Sequence, residues 1–216
     1  KVTRQTHPNR ILRRAGLLEV RPSLTWEMLD AGASKAFAIS DHQICHVYVN
    51  DKSKLKEVVA LFEKDPGTRR VIHGEERKRF GLDNDRAGDV ILMAEPDSWY
   101  TYYYWEDDAK APDFARCVDI HRKPGYDPCE LFLDPKKPFA KGTIISSLLK
   151  KKLGFRYYMD VIPLDASLVK GSHGTPADDP AEAPLLIGDK SLWEPAAGEL
   201  PMTAVRDVIL RSVESA

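Results

Sequence analysis

The chain has 216 residues, of which 43% are hydrophobic and 30% are charged, and this composition is typical of one folded domain or a large piece of a bigger one. A chain of this length can bury about 70% of its unfolded surface, so neither disulfides nor a metal is needed to hold the fold together. The 32 basic and 33 acidic residues give a formal net charge of −1. This balance argues against a protein held to nucleic acid or to an anionic membrane surface by a broad basic field.

The three cysteines, Cys45, Cys117 and Cys129, are odd in number and widely spaced, with no CxxC pair. They predict neither a disulfide framework nor a cysteine zinc site, and they favour a reducing compartment, the cytoplasm. No apolar run approaches the ~18 residues that cross a bilayer, so we expect no membrane segment in this chain. Because the chain begins at Lys1 without a methionine, we expect that a signal or a longer upstream segment precedes it.

The first half of the chain predicts strands that alternate with helices. In chain order, we expect a helix from about Pro8, a strand at Ala36–Ile39 that leads into Ser40-Asp41-His42, and a strand at Cys45–Val49. We then expect a helix with Leu55, Val58, Val59 and Phe62 on one face. Two further strands are expected at Val71–Ile72 and Asp89–Met93. This alternation favours an α/β fold with a largely parallel sheet flanked by helices.

The regular alternation stops between residues 95 and 160, which we interpret as an insertion in the sheet. This region contains an aromatic run from Trp99 to Trp105, which we expect to pack in the core rather than to stack on a nucleobase. Beyond it we expect a Gly/Pro/Asp loop at Gly171–Pro184, a strand at Leu185–Ile187 and a helix from about Met202. Four apolar residues of that helix are expected to face inward: Val205, Val208, Ile209 and Val213.

Asp41 and His42, at the end of a predicted strand, are the strongest candidates for chemistry. Together with His173 in the Gly-Ser-His-Gly segment at 171–174, they supply oxygen and nitrogen ligands suited to a divalent ion such as zinc. The alternative from the residues alone is that Asp41 caps a turn while His42 and His46 pack at the sheet edge.

These motifs resemble the second half of the alkaline phosphatase superfamily, and its type I phosphodiesterase/nucleotide pyrophosphatase branch in particular. The resemblance rests on Phe37-Ala38-Ile39-Ser40-Asp41-His42-Gln43, on the later Gly171–Gly174 segment and on Ala183–Gly188, in that order. Gln43 stands where the family usually has glycine, so the local turn departs from the family pattern.

The resemblance implies two divalent metal ions, most often zinc, about 4 Å apart. Asp41 and His42 resemble the ligands of the metal beside the nucleophile, and His173 resembles a ligand of the second metal. The family also has an early Asp, a Thr or Ser nucleophile and an Asp-x-x-x-His pair, which residues 1–40 do not match. We therefore expect residues 1–216 to be the C-terminal part of one catalytic domain, with residues 95–160 shaping its substrate pocket.

The expected function is hydrolysis of phosphodiesters or nucleotide pyrophosphates, with a small phosphorylated or nucleotide substrate and no nucleic acid partner. The turn near Pro124 adds His121 and Lys123 as candidates for gripping a substrate phosphate, although a solvated basic turn explains them equally well. The same scaffold also serves phosphomonoesterases, phosphonate hydrolases and phosphosugar mutases. A non-catalytic binding domain of this fold is the alternative of another class.

Overall fold

The computed structural model of the chain describes residues 1–119, 121–177, 179–189, 192 and 200–214. The strands are β1 (Arg4–Thr6), β2 (Val20–Ser23), β3 (Trp26–Leu29), β4 (Ala36–Asp41), β5 (Ile44–Val49), β6 (Thr68–His73), β7 (Val90–Ala94) and β8 (Ser98–Tyr100). The helices are α1 (Pro8–Arg14), α2 (Leu55–Glu63), α3 (Glu76–Arg79), α4 (Ala140–Lys152) and α5 (Val205–Glu214). The chain divides into two compact units, Lys1–Thr175 and Pro176–Ala216.

A four-stranded sheet with the order β4-β5-β7-β6 forms the centre of the first unit, and each pair of neighbours in it is antiparallel. The expected helices and strands of this region are present, but the expectation of a largely parallel sheet is wrong. The strands β4 and β5 are joined by only two residues, and so short a connection permits only antiparallel pairing. The helix α2 does link β5 to β6 as a crossover would, but β7 lies between them and runs opposite to both.

A parallel pair, β1 with β8, lies beside this sheet, and buried Asn9 of α1 connects it to β4. The Asn9 amide donates hydrogen bonds to the Ala38 and Tyr102 carbonyl oxygens at 2.9 and 3.3 Å, and its own oxygen accepts one from the Ala38 N–H at 2.8 Å. A buried amide with all of these bonds fixes the position of α1 against the strand that leads to Asp41.

The aromatic run packs in the core of the first unit, as expected. Its six aromatic side chains are all buried: Trp99, Tyr100, Tyr102, Tyr103, Tyr104 and Trp105. Only the beginning of the run belongs to a strand, and the remaining aromatic residues belong to the hydrophobic core without forming regular secondary structure. These rings are therefore not a surface on which a nucleobase can stack.

The second unit differs from expectation in two places. Leu185–Ile187 forms no strand, and Leu185 and Ile187 are 82% and 83% exposed; no described residue of this unit offers a strand with which the segment could pair. The final helix α5 is present, but only Val208 is buried, whereas Ile209 and Val213 are exposed.

The organisation of residues 1–216 as part of one domain with an insertion at 95–160 stays a prediction. In the part of the chain that the structure describes, no helix is long and apolar enough to cross a membrane.

Candidate active site

The tight turn between β4 and β5 carries the first two candidate ligands. Asp41 pairs with Ile44, so His42 and Gln43 alone form the connection. His42 has a φ of 55°, in the left-handed region, which histidine adopts more readily than most residues but still at a cost. This backbone conformation holds the His42 side chain at the end of the sheet.

His42 lies between two other rings. The ring centroid of His173 is 4.2 Å from that of His42, and the Tyr126 ring stacks on His42 at 4.7 Å. The Asp41 carboxylate is 4.0 Å from His42 Nε2. Asp41, His42 and His173, which the sequence analysis singled out, are therefore brought together in the fold.

Gln43 holds the His173 loop to this turn. Its backbone N–H donates a hydrogen bond to the His173 carbonyl oxygen at 2.9 Å, and its side-chain amide donates to the carbonyls of Ser98 and Pro96 at 3.0 and 3.2 Å. Gly174 follows with a φ of 125°, a conformation that favours glycine. Gln43, which stands where the resembling family usually has glycine, therefore adds polar contacts. The candidate ligands His42 and His173 remain in contact.

Tyr126 reaches His42 because the segment before it is pinned to β4. Gly125 forms a β-bridge with Ser40, and the Tyr126 N–H donates a hydrogen bond to the Ser40 carbonyl oxygen at 2.9 Å. A Cβ atom at Gly125 would overlap that same carbonyl oxygen, and the φ of Gly125 is 123°. Only glycine allows the two backbones to approach so closely here.

Lys123 has no exposed side-chain surface and forms ion pairs with Asp127 at 2.8 Å and Glu130 at 2.6 Å. Burial, only partly opposed by Lys123, raises the pKa of Asp127 above its ordinary value. The structure gives Lys123 a structural role, since it neutralises two carboxylates beneath the turn that carries Tyr126. Substrate binding by Lys123 stays a prediction that requires this cluster to open.

The remaining histidines do not contact the cluster of Asp41, His42 and His173. His121 is exposed on its turn, and its contact with substrate stays a prediction. His46 Nδ1 accepts a hydrogen bond from the Gly88 N–H at 3.1 Å, as expected for a histidine satisfied near the site. His7 is hydrogen-bonded to Thr101 Oγ1 at 2.7 Å and stacks on Tyr103.

The electrostatics of His42 favour its neutral form. Burial, and next the neighbouring His173, lower the pKa of His42, while Asp41 acts in the opposite direction. His42 Nδ1 is buried and has no hydrogen-bond partner within the described residues. A neutral imidazole with an unused ring nitrogen is the form in which histidine binds metals.

The donor set suits a divalent cation, but it is incomplete. Zinc takes both carboxylate oxygens and imidazole nitrogens as ligands, and the Asp41 side chain is 65% exposed, so it can turn towards an ion. Within the described ranges, however, no group of three or more His, Cys, Asp or Glu side chains is arranged to hold a metal ion. The cluster can therefore supply part of a coordination sphere.

Sequence reasoning missed the contributions of Tyr126, Gly125 and Gln43. The Gly125-Tyr126 pair followed by Asp127-Pro128 signalled a constrained turn, but a turn signal does not say which strand the turn will contact.

Comparisons with known proteins identify one family. The sequence model described as type I phosphodiesterase/nucleotide pyrophosphatase matches residues 1–127. No curated protein matches the chain significantly. Among solved structures, phosphonoacetate hydrolase from Sinorhizobium meliloti 1021, in complex with phosphonoformate, is similar at 20% identity with a TM-score of 0.32. That alignment covers 45% of this chain and 23% of the hydrolase chain.

Proposed function

The chain belongs to the type I phosphodiesterase/nucleotide pyrophosphatase family, and from this premise we propose that it is part of an enzyme that hydrolyses phosphodiester or phosphoanhydride bonds in small phosphorylated or nucleotide substrates. The observation that carries the proposal is the convergence of Asp41, His42 and His173 at the β4–β5 turn, with the two imidazole centroids 4.2 Å apart. These are the candidate ligands on which the chemistry depends.

In the proposed enzyme, Asp41 and His42 contribute to one metal position and His173 to a second. A divalent cation, with zinc as the first candidate, would supply charge stabilisation at the phosphoryl oxygens when bound. The unused Nδ1 of His42 and the neutral state favoured by its surroundings support its role as a ligand. In this proposal the remaining ligands and the hydroxyl nucleophile come from outside residues 1–216.

The residues of this chain then act mainly by positioning. The Tyr126 ring covers one face of His42 and limits rotation of the imidazole. The hydrogen bonds of Gln43 keep the His173 backbone beside the turn. Such support matters because a misplacement of about 1 Å at a reacting centre can cost about a hundredfold in rate.

The test is metal content and hydrolysis of bis-p-nitrophenyl phosphate by the full-length protein, beside an Asp41→Ala/His42→Ala double variant. We expect about two equivalents of a divalent ion in the wild type, with a loss of at least one equivalent and of activity in the variant. A His73→Ala variant is the control, since His73 is an exposed histidine of β6 outside the cluster. A full-length protein without metal or turnover, or a double variant that retains both, contradicts the proposal.

A further inference from the structure

Residues 135–159, which we name the basic segment, combine an unusual charge with exposed apolar surface. The segment contains seven basic residues and no Asp or Glu: Lys136, Lys137, Lys141, Lys150, Lys151, Lys152 and Arg156. The helix α4 lies at its centre. The near-zero net charge of the whole chain therefore conceals a strongly cationic region.

The helix α4 is packed on one side only. Ala140 and Ser147 are buried, and the Ser147 hydroxyl donates a hydrogen bond to the Tyr158 carbonyl oxygen at 3.0 Å. The opposite side carries an apolar stripe, Ile145, Leu148 and Leu149, with Lys141 and Lys152 at its two ends. The spacing of these five residues places them on one face of a helix with 3.6 residues per turn.

The exposed side of the basic segment is more apolar than an ordinary protein surface. Ile145 is 68% exposed, and Phe139 and Phe155, beyond the two ends of the helix, are 81% and 64% exposed. Leu148, Leu149 and Leu153 are exposed as well. An apolar patch of this kind, rimmed by cations, marks an interaction surface.

Four of the cations of this surface lack an ion-pair partner within the described residues. Of the seven basic side chains, Lys137 forms an ion pair with Asp160 and Arg156 hydrogen-bonds the Tyr158 hydroxyl. Within the described residues, no carboxylate lies at ion-pair distance from Lys141, Lys150, Lys151 or Lys152, and these four side chains are exposed. Their charge is therefore not neutralised within the described part of the chain.

We propose that the basic segment binds the surface of an anionic lipid bilayer, with α4 lying in the plane of the headgroups. The helix has 13 residues and is about 20 Å long, so it can lie in the interface without crossing the bilayer. Its leucine, isoleucine and phenylalanine side chains would enter the region between headgroups and acyl chains, and the lysines would contact lipid phosphates. An anionic bilayer offers phosphates to the lysines and an apolar interior to the hydrophobic side chains. A nucleic acid backbone offers only the phosphates.

The balanced charge of the whole chain does not oppose this binding. Electrostatic interactions are screened over about 8 Å at physiological ionic strength, so acidic residues elsewhere on the molecule contribute little at the lipid surface. The local charge of the basic segment therefore determines whether it binds an anionic surface. The argument from total charge against membrane binding does not apply to this segment.

The experiment is co-sedimentation of the full-length protein with vesicles of phosphatidylcholine alone and of phosphatidylcholine with 20% phosphatidylserine, in 0.15 M salt. We expect binding at least tenfold tighter to the anionic vesicles, weakening as salt rises. An Ile145→Ser/Leu149→Ser variant and a Lys141→Glu/Lys152→Glu variant should each reduce this binding at least fivefold. The control is Lys56→Glu/Lys64→Glu, which makes the same change of charge at exposed sites on and just beyond α2 and should bind like the wild type.

Circular dichroism of each variant separates loss of binding from loss of folding. Equal binding to both kinds of vesicle, or no binding by the folded wild type, overturns the proposal. A lipid-independent dimer that dissociates in Ile145→Ser/Leu149→Ser also overturns it, because the apolar stripe would then be an interface between two copies of the chain.

Discussion

The imidazole rings of His42 and His173 lie 4.2 Å apart, although one belongs to the β4–β5 turn and the other to a loop near the end of the first unit. No regular secondary structure joins these two segments directly. The hydrogen bond from the Gln43 N–H to the His173 carbonyl oxygen helps to hold these two distant parts of the chain together.

Replacing His173 with alanine should weaken metal binding more than folding. The side chain packs on His42, but the bond that holds its loop uses the backbone carbonyl and survives the substitution. We expect the full-length His173→Ala protein to bind the second metal at least tenfold more weakly and to lose most of its phosphodiesterase activity, while its melting temperature stays within about 2 °C. Metal titration and thermal unfolding are the measurements, with His73→Ala as the control. Unchanged metal affinity would remove His173 from the site.

Substitutions of Tyr126 test whether the orientation of the His42 ring matters for activity. Tyr126→Phe keeps the stacked ring, whereas Tyr126→Ala removes it. We expect Tyr126→Phe to retain activity within about threefold and Tyr126→Ala to lower kcat about tenfold, with a smaller change in KM. Steady-state kinetics on bis-p-nitrophenyl phosphate measures both constants. Equal effects of the two substitutions would assign the role to the phenol hydroxyl instead.

Substitution of Lys123 tests how much its buried ion pairs with Asp127 and Glu130 stabilise the fold. Its replacement by methionine fills a similar volume but leaves Asp127 and Glu130 buried without a counter-charge. We expect a loss of about 3–5 kcal/mol in the free energy of unfolding. Lys151→Met, at an exposed position of α4, should change it by less than about 0.5 kcal/mol. Urea unfolding of both variants is the measurement, and a mild effect at Lys123 would mean that water enters the cluster.

His7 makes the stability of the protein depend on pH. Burial, followed by the nearby Arg10 and Arg14, lowers the pKa of His7 from 6.5 to about 4. Between these two values the unfolded chain binds a proton that the folded protein does not, so stability falls as pH drops from 6.5 towards 4. The shift corresponds to about 3 kcal/mol.

The check for His7 is urea unfolding at pH 7 and pH 4, in the wild type and in His7→Gln. Carboxylates titrate in both proteins, so the difference between their two pH dependences isolates His7. We expect the variant to lose about 3 kcal/mol less than the wild type over this range. Parallel pH dependences would show that His7 can be protonated within the fold.

The local pattern of the sequence predicts much of the site. The apolar run Ala36–Ile39 and the segment Cys45–Val49 identify both strands, and the Asp41-His42 pair that follows the first run indicates where chemistry lies. His173 could be connected to them only through the resemblance to a family. Periodicity describes the neighbours of a residue along the chain, whereas this contact joins residues that are far apart in the sequence.

The direction of the sheet and the state of Lys123 could not be read from the sequence. The order of strands and helices indicates a crossover through α2, but the entry of β7 between β5 and β6 depends on packing over the whole first unit. From the sequence, Lys123 is interpreted as a solvated cation because its neighbours are polar. Its burial results from two carboxylates and the Tyr102 ring, 5.7 Å away, that meet it only after folding.

The dependence of the site on Gln43 and His173 also has a consequence during protein synthesis. The β4–β5 hairpin can form as soon as it leaves the ribosome, but its partner loop emerges only after all the residues between Val49 and His173 have been translated. At about 5–20 residues per second, this delay is on the order of 10 s. The nascent chain therefore holds Asp41 and His42 without His173 for that time, and a metal ion captured during it would be bound by an incomplete set of ligands.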